Sequence, residues 1–240
     1  MKNLRALKNN LTFILFLFSS FTCAKVFAQS SRQVSVNDFS SIGVSSGINL
    51  HLKQGNTESL VIKGDEEVIK DVVVEKNDRS ISIKYKEGVN WSRLFKGRSI
   101  DVYVTFKNLN ALAASGGSDV YIDGQLKTDK FSLAASGGSD VKLNLVCKDI
   151  KIAVSGGADI ELKGSAENMS ISASGGSDIS AFDFRVDYAQ VNSSGGADVD
   201  IYVNKGLTAA ASGGSDITYK GNASLKKTSN SKSGDIIHAN

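Results

Sequence analysis

Six aspartates, Asp119, Asp140, Asp159, Asp178, Asp198 and Asp216, each close a pentapeptide Ser-Gly-Gly-Ser/Ala-Asp. Carboxylates, hydroxyls and backbone carbonyls are hard oxygen donors, so such a series could hold a ladder of Ca²⁺ ions. Carboxylates can also act as acid and base in polysaccharide cleavage, provided that two of them converge in unlike environments that push their pKa values apart. Here the carboxylates are equivalent by repetition, which speaks against an acid and base pair. The plainer reading is structural: each carboxylate accepts hydrogen bonds from its own turn's N–H groups or serine hydroxyl, an Asx-type turn repeated many times. Calcium-binding β-rolls use nine-residue repeats, about half the period found here. The calcium ladder is therefore the secondary reading, and no other cofactor is indicated.

Two further sets of residues could do chemistry. The segment 87–99, EGVNWSRLFKGRS, gathers the sole tryptophan, Trp91, with Arg93, Phe95 and Arg98. Aromatic rings flanked by cations can stack on and hydrogen-bond a glycan or protein ligand. The alternative is a cap that folds Trp91, Leu94 and Phe95 over the core. Cys147, at strand parity beside Leu145 and Val146, reads as a small buried residue rather than a nucleophile. His51 and His238 lie near opposite ends of the chain, and no HExxH, CxxC or phosphate-binding glycine motif is present. No catalytic residue is assigned.

The spacing of the aspartates defines the elements that must position them. Successive intervals are 21, 19, 19, 20 and 18 residues, and Ser233-Gly234-Asp235 follows as a decayed seventh copy. Apolar residues fall at alternate positions on both sides of each turn: Phe131, Leu133 and Ala135 before one aspartate, Val141 and Leu143 after it. Period two with one apolar face is a half-buried strand, so each repeat reads as strand, Gly-Gly corner, strand. The near-constant period favours a solenoid over a meander: one coil of about 19–20 residues per repeat, like positions stacked about 4.8 Å apart, and every unit lying on the one before. Small inward residues directly before the corner, Ala114, Ala135, Ala173 and Ala211, fit a tight bend.

The first half is less regular but strand-like over residues 60–63, 72–75, 80–85 and 100–106. The turn Val44-Ser45-Ser46-Gly47-Ile48-Asn49-Leu50 can be laid over the repeats with Ser45 on Ser115 and Asn49 on Asp119. A single domain over 29–240 follows, not two.

Before it lies a basic stretch, an uncharged run from Leu11 to Phe21, and Val26-Phe27-Ala28 with small or branched residues at −3 and −1. That is the pattern of a secretory signal peptide, residues 1–28. The run is too short for a spanning helix, and nothing later is longer. Thr22 departs from the small residue that a lipobox wants before its cysteine, so cleavage after Ala28 is favoured over lipidation at Cys23. The chain of 240 residues carries 28 Lys and Arg against 25 Asp and Glu; losing Lys2, Arg5, Lys8 and Lys25 turns its net +3 into about −1. With near-neutral charge and alternating signs along the strands, nucleic acid is excluded as a partner class.

Gly47-Ile48-Asn49 after Phe39, Val61-Ile62-Lys63-Gly64-Asp65, the Trp91 segment, Val102-Tyr103-Val104 and the serial Ser-Gly-Gly-Ser-Asp turns together resemble the head GIN domain family, auto-transporter adhesins of Bacteroidetes-type bacteria. The resemblance implies a right-handed parallel β-helix and a surface-binding role, and it brings no catalytic motif. The expectation is an exported, non-catalytic binding or adhesion module of the periplasm, outer-membrane surface or extracellular space. A polysaccharide lyase or hydrolase and a purely structural envelope protein are the alternatives. Solenoid ends expose unpaired backbone, so a homo-oligomer or capping segments are expected there, with the polar stretch 226–232 at the C-terminal end.

Overall fold

In the computed structural model, residues 30–89, 99–228 and 233–239 are described. Among them the chain is all-β apart from one short helix. The first strands are β1 (Ser30–Val34), β2 (Ser41–Val44), β3 (Ile48–Gln54) and β4 (Ser59–Gly64), then helix α1 (Glu66–Ile69), β5 (Val72–Asn77), β6 (Ser80–Tyr85) and β7 (Ile100–Phe106). The repeats supply β8 (Ala111–Ala114), β9 (Asp119–Asp123), β10 (Leu126–Lys127), β11 (Lys130–Ser136), β12 (Asp140–Val146) and β13 (Asp149–Ser155). They continue through β14 (Asp159–Ala173), β15 (Asp178–Ser193), β16 (Asp198–Ala211), β17 (Asp216–Lys220), β18 (Ser224–Lys227) and β19 (Asp235–His238).

The repeats stack as parallel coils, which makes the fold a β-solenoid. On the post-corner face, β12 lies between β9 and β14, with Asp140 opposite Asp119 on one side and Asp159 on the other. On the pre-corner face β13 lies between β11 and β14, with Ile152 between Leu133 and Ile171. Alternation decides what is inside. Phe131, Leu133 and Ala135 before the corner and Val141, Leu143 and Leu145 after it are all buried. Each large aliphatic removed from water in this way contributes about 1.5–3 kcal/mol, repeated coil after coil. The corner alanines Ala114, Ala135, Ala173 and Ala211 are buried too, as a tight bend requires.

The N-terminal strands depart from the rule that each unit stacks on its predecessor. β2 and β3 lie directly on β8 and β9, with Val44 opposite Ala114 and Leu50 opposite Val120, so Ser45 sits on Ser115 and Asn49 on Asp119. β6 and β7, which come later in the chain, pack on the far side of β2 and β3 and form the next layer outward. Antiparallel strands then close that end: β5 on β6, β4 on β7, and β1 on β4. The reason is in the connections: the link from β3 to β4 is four residues, Gly55 to Glu58, and the link from β5 to β6 is two, Asp78 and Arg79. Short links return the chain antiparallel, whereas a parallel partner needs a long crossover. Phe39 and Phe106 are buried in this region. At the other end β18 and β19 pair with β16 and β17, and every residue of β18 is exposed.

Candidate functional site

Corner geometry explains the pentapeptide. The first glycine of every copy takes a positive φ, from +61° at Gly116 to +81° at Gly175 and Gly195, a region that side chains avoid. Crowding adds to this. A Cβ on Gly175 would stand 2.7 Å from the carbonyl oxygen of Gly156 in the neighbouring coil, and one on Gly195 2.9 Å from the amide nitrogen and carbonyl oxygen of Gly175. The second glycine varies: Gly117, Gly138 and Gly214 also take a positive φ, whereas Gly157, Gly176 and Gly196 do not, and Gly157 has open space around it. Between coils the corners are tied by backbone hydrogen bonds, with the Gly176 N–H donating to the Gly156 carbonyl at 2.8 Å and the Gly196 N–H to that of Gly175 at 2.7 Å.

The fourth residue of each pentapeptide points inward, and Ser118, Ser139, Ala158, Ser177, Ala197 and Ser215 are all fully buried. Where this residue is serine its hydroxyl closes the corner. The Ser139 hydroxyl accepts from the Ser136 N–H at 3.2 Å and donates to the Ala114 carbonyl at 3.3 Å. The Ser215 hydroxyl accepts from the Ser212 N–H at 3.1 Å and donates to the Ser212 carbonyl at 2.9 Å. Where it is Ala197, the buried Ser193 hydroxyl donates to the Ala197 carbonyl at 2.8 Å from the position that is usually alanine. Sequence reasoning passed over this fourth residue. Its restriction to Ser and Ala was the available signal, since only a small side chain fits there.

The fifth residue, the aspartate, points outward. Asp140, Asp159, Asp178, Asp198 and Asp216 are exposed and Asp119 is half-buried. Their carboxylates reach along the stack: Asp198 accepts from the Asp216 N–H at 3.3 Å, and Asp216 from the Asp235 N–H at 3.3 Å. The row is longer than the six copies, because β7 and β3 place Asp101 and Asn49 in register beyond Asp119. Asn49 Nδ2 donates to Asp101 Oδ1 at 3.2 Å, so an amide separates the like charges there. Elsewhere the charges abut. Partial burial first, and then the neighbouring Asp140 carboxylate, push the Asp119 carboxyl above the usual range, while a Tyr121 hydrogen bond opposes the shift. Asp159 is pushed up in the same way, by burial and then by Asp178 and Asp140. Among the described residues no group of three or more His, Cys, Asp or Glu side chains is placed to hold a metal ion.

One row further along the strands stands an aromatic stack. His51 lies between Tyr103, at 4.6 Å between ring centroids, and Tyr121, at 5.6 Å, with Lys63 over the far face of Tyr103. His51 Nε2 is 3.0 Å from Asp101 Oδ1. The stack joins β7, β3 and β9, three strands that are not consecutive in the chain, which is why spacing alone does not reveal it. Cys147 is buried beside β12 and, through that burial and then the charge of Asp149, its thiol is pushed up to about 11, so it is protonated at neutral pH and a poor nucleophile. Trp91, Arg93, Phe95 and Arg98 lie outside the described residues, as does the segment 1–28.

No helix among the described residues is long and apolar enough to cross a membrane. The family model of the putative auto-transporter adhesin, head GIN domain, matches residues 38–223. A putative adhesin of Bacteroides fragilis superposes with a TM-score of 0.78 at 24% identity, over 88% of this chain and 97% of that one. A putative adhesin of Parabacteroides distasonis gives 0.69 at 21%, over 88% and 97%. A protein of the same species described as a putative lipid binding protein gives 0.65 at 19%, again over 88% and 97%. Likenesses at these identities speak for the fold. No curated protein matches the chain.

Proposed function

The chain belongs to the putative auto-transporter adhesin, head GIN domain family, and from that premise we propose that it is an exported, non-catalytic module of the cell envelope that binds an external ligand through the outward rows of its solenoid. One observation carries the reading. The outward side chains of the pre-corner strands stand in rows along the stack, Lys151 on Ser132 and Ser170 on Lys151, rather than converging as unlike groups on one point. Rows of this kind suit an extended ligand lying along the stack. Hydrolysis or lysis needs unlike groups aimed at one bond. A protonated Cys147 thiol and a His51 engaged with Asp101 between two tyrosine rings add no nucleophile or free base.

The segment 1–28 serves in this proposal as the export signal, and the aspartate row as carboxylates that accept from the next coil's N–H groups and keep the corners in register. Trp91, Arg93, Phe95 and Arg98 are proposed as a ligand-contact loop, with a cap over the core as the alternative. Incubating the protein with immobilised envelope polysaccharides and envelope proteins, and measuring both retention and soluble product, tests the reading. Retention without product is expected. Release of unsaturated or reducing ends would convert the protein into an enzyme, and retention of nothing would leave an architectural role.

A further inference from the structure

Along the pre-corner face runs an open groove of about 770 Å³ that crosses the coils instead of following them. Its walls are two outward rows two residues apart on each strand. In one, Ser132, Lys151, Ser170, Gln190, Thr208 and Lys226 stand opposite one another from strand to strand. Five strand spacings make this row roughly 24 Å long. The other row carries Lys130, Asp149, Asn168 and Tyr188 and then narrows to Gly206.

Three features of the groove define its ligand. The first is an aromatic surface: Tyr188 is 54% exposed, the most exposed large apolar side chain among the described residues. Its ring lies over Gly206, where a Cβ would come within 3.1 Å of the ring, so the glycine makes room for it. A ring seated on backbone and open to the groove can stack on the apolar face of a sugar. Second, the lining is rich in hydroxyls and amides, which donate and accept at once and therefore match sugar hydroxyls. Third, the charge is one-sided. Lys130, Lys151 and Lys226 line the groove against the single acid Asp149, and that carboxylate is already engaged by Asn168 Nδ2 at 2.9 Å and faces Lys130 at 3.9 Å. The aspartates of the repeat corners, by contrast, lie outside the groove.

Resting on the binding-module reading above, we infer that this groove holds a linear anionic polysaccharide along the solenoid axis, with Tyr188 stacking on a sugar ring and Lys151 and Lys226 pairing with its acid groups. Carboxylate sugars and sulfate esters share this chemistry. A peptide strand fits less well, because the groove is walled by side chains and the neighbouring strands already satisfy each other's backbone.

Titrating the purified protein with polygalacturonate, dextran sulfate and neutral dextran separates the cases. Expected is binding of one or both polyanions, no binding of dextran, at least tenfold weaker affinity in Tyr188→Ala and in Lys151→Glu, and unchanged affinity in Asp178→Asn on the corner row. The relative affinity for the first two polymers distinguishes carboxylate from sulfate. Equal binding of dextran, or polyanion affinity unmoved by both groove substitutions in variants of unchanged melting temperature, overturns the assignment. So does retention of envelope proteins with no glycan bound, which would leave the binding-module reading standing. Retention of no envelope component of either kind would sink both.

Discussion

The repeat coils and the N-terminal layers bury the same kinds of residue in the same parallel register, yet they are built on different logic. From β8 onward, chain order is stacking order, and each coil is supported by a near copy of itself. From β1 to β7 the order is scrambled: the corner at Ser45 to Asn49 lies between the first repeat and a layer formed later in the chain, and antiparallel strands seal the outside. Even the corner differs, for Ser46 holds a φ of +70° where the repeats use glycine. Repetition thus specifies propagation, and termination requires a segment that breaks the repetition. A solenoid without such an end presents a row of unpaired N–H and C=O groups to any other strand.

The sharpest way to break this contrast is at the seal. Phe106→Ala removes a fully buried ring from β7, the strand that joins the antiparallel strand β4 to the parallel stack. A loss of about 3–5 kcal/mol is expected in chemical denaturation, together with aggregation as β3 becomes an edge. If the seal were dispensable, the same stability loss would leave the folded protein monodisperse. Within the coils the corresponding weak point is the corner. Gly175→Ala meets both a positive φ and the Gly156 carbonyl, so a loss of about 2–4 kcal/mol is expected, from left-handed strain of about 1–2 kcal/mol and a backbone shift for the rest. Gly157→Ala, in the same motif with open space and no positive φ, should change the melting temperature little. Equal effects at Gly175 and Gly157 would mean that the corners owe nothing to inter-coil packing.

The same contrast governs what could be read from the residues. The 19-residue rhythm and the alternating apolar positions reveal the coils because each coil repeats the local cause of its own shape. The register of Asn49 on Asp119 was legible for that reason, since the first corner retains Ser45, Gly47 and the flanking alternation. That β7 lies beyond β3, and therefore that Asp101 and Tyr103 join Asn49 and His51, was not legible, because it depends on long-range pairing with no local signature. β1 is not legible for the same reason: among the described residues its strand partner is β4. In the groove, Tyr188 and Lys151 stand on adjoining rows although 37 positions part them, and no motif connects them.

The buried hydroxyls offer a finer test within the repeats. Ser139→Ala removes a fully buried hydroxyl that accepts from the Ser136 N–H and donates to the Ala114 carbonyl, and a loss of about 0.5–1.5 kcal/mol is expected. At Ala158, which carries no hydroxyl, Ala158→Ser supplies one with the same corner to close, and the expected effect is near zero or mildly stabilising. Thermal melts of the two variants would show opposite or unequal shifts. A cost at Ser139 as small as the change at Ala158 would reduce the fourth position to a constraint on size alone.

The smallest expected effect distinguishes the abutting aspartates of the repeats from the amide-separated row of the N-terminal layers. Burial and the flanking carboxylates raise the Asp159 carboxyl above its ordinary range, so the folded protein holds this proton more tightly than the unfolded chain does. Where the native state binds more protons, stability falls as pH rises. For Asp159 the decline lies between the ordinary carboxylate value of about 4 and the raised one, and above that window the penalty is constant. Asp159→Asn should therefore raise the melting temperature at pH 7, by no more than the roughly 1 kcal/mol that adjacent charges exchange in water. The gain should shrink in acid, where the native carboxyl is already neutral, and also in high salt, which screens exposed neighbours. The converse substitution, Asn49→Asp, should be destabilising at neutral pH, since it inserts a third charge between Asp101 and Asp119 and removes the amide that donates to Asp101. If the two variants shift the melting temperature in the same direction at pH 7, repulsion along the row is not what separates the two regions; opposite shifts that both fade toward acid pH are what carboxylates crowded by stacking require.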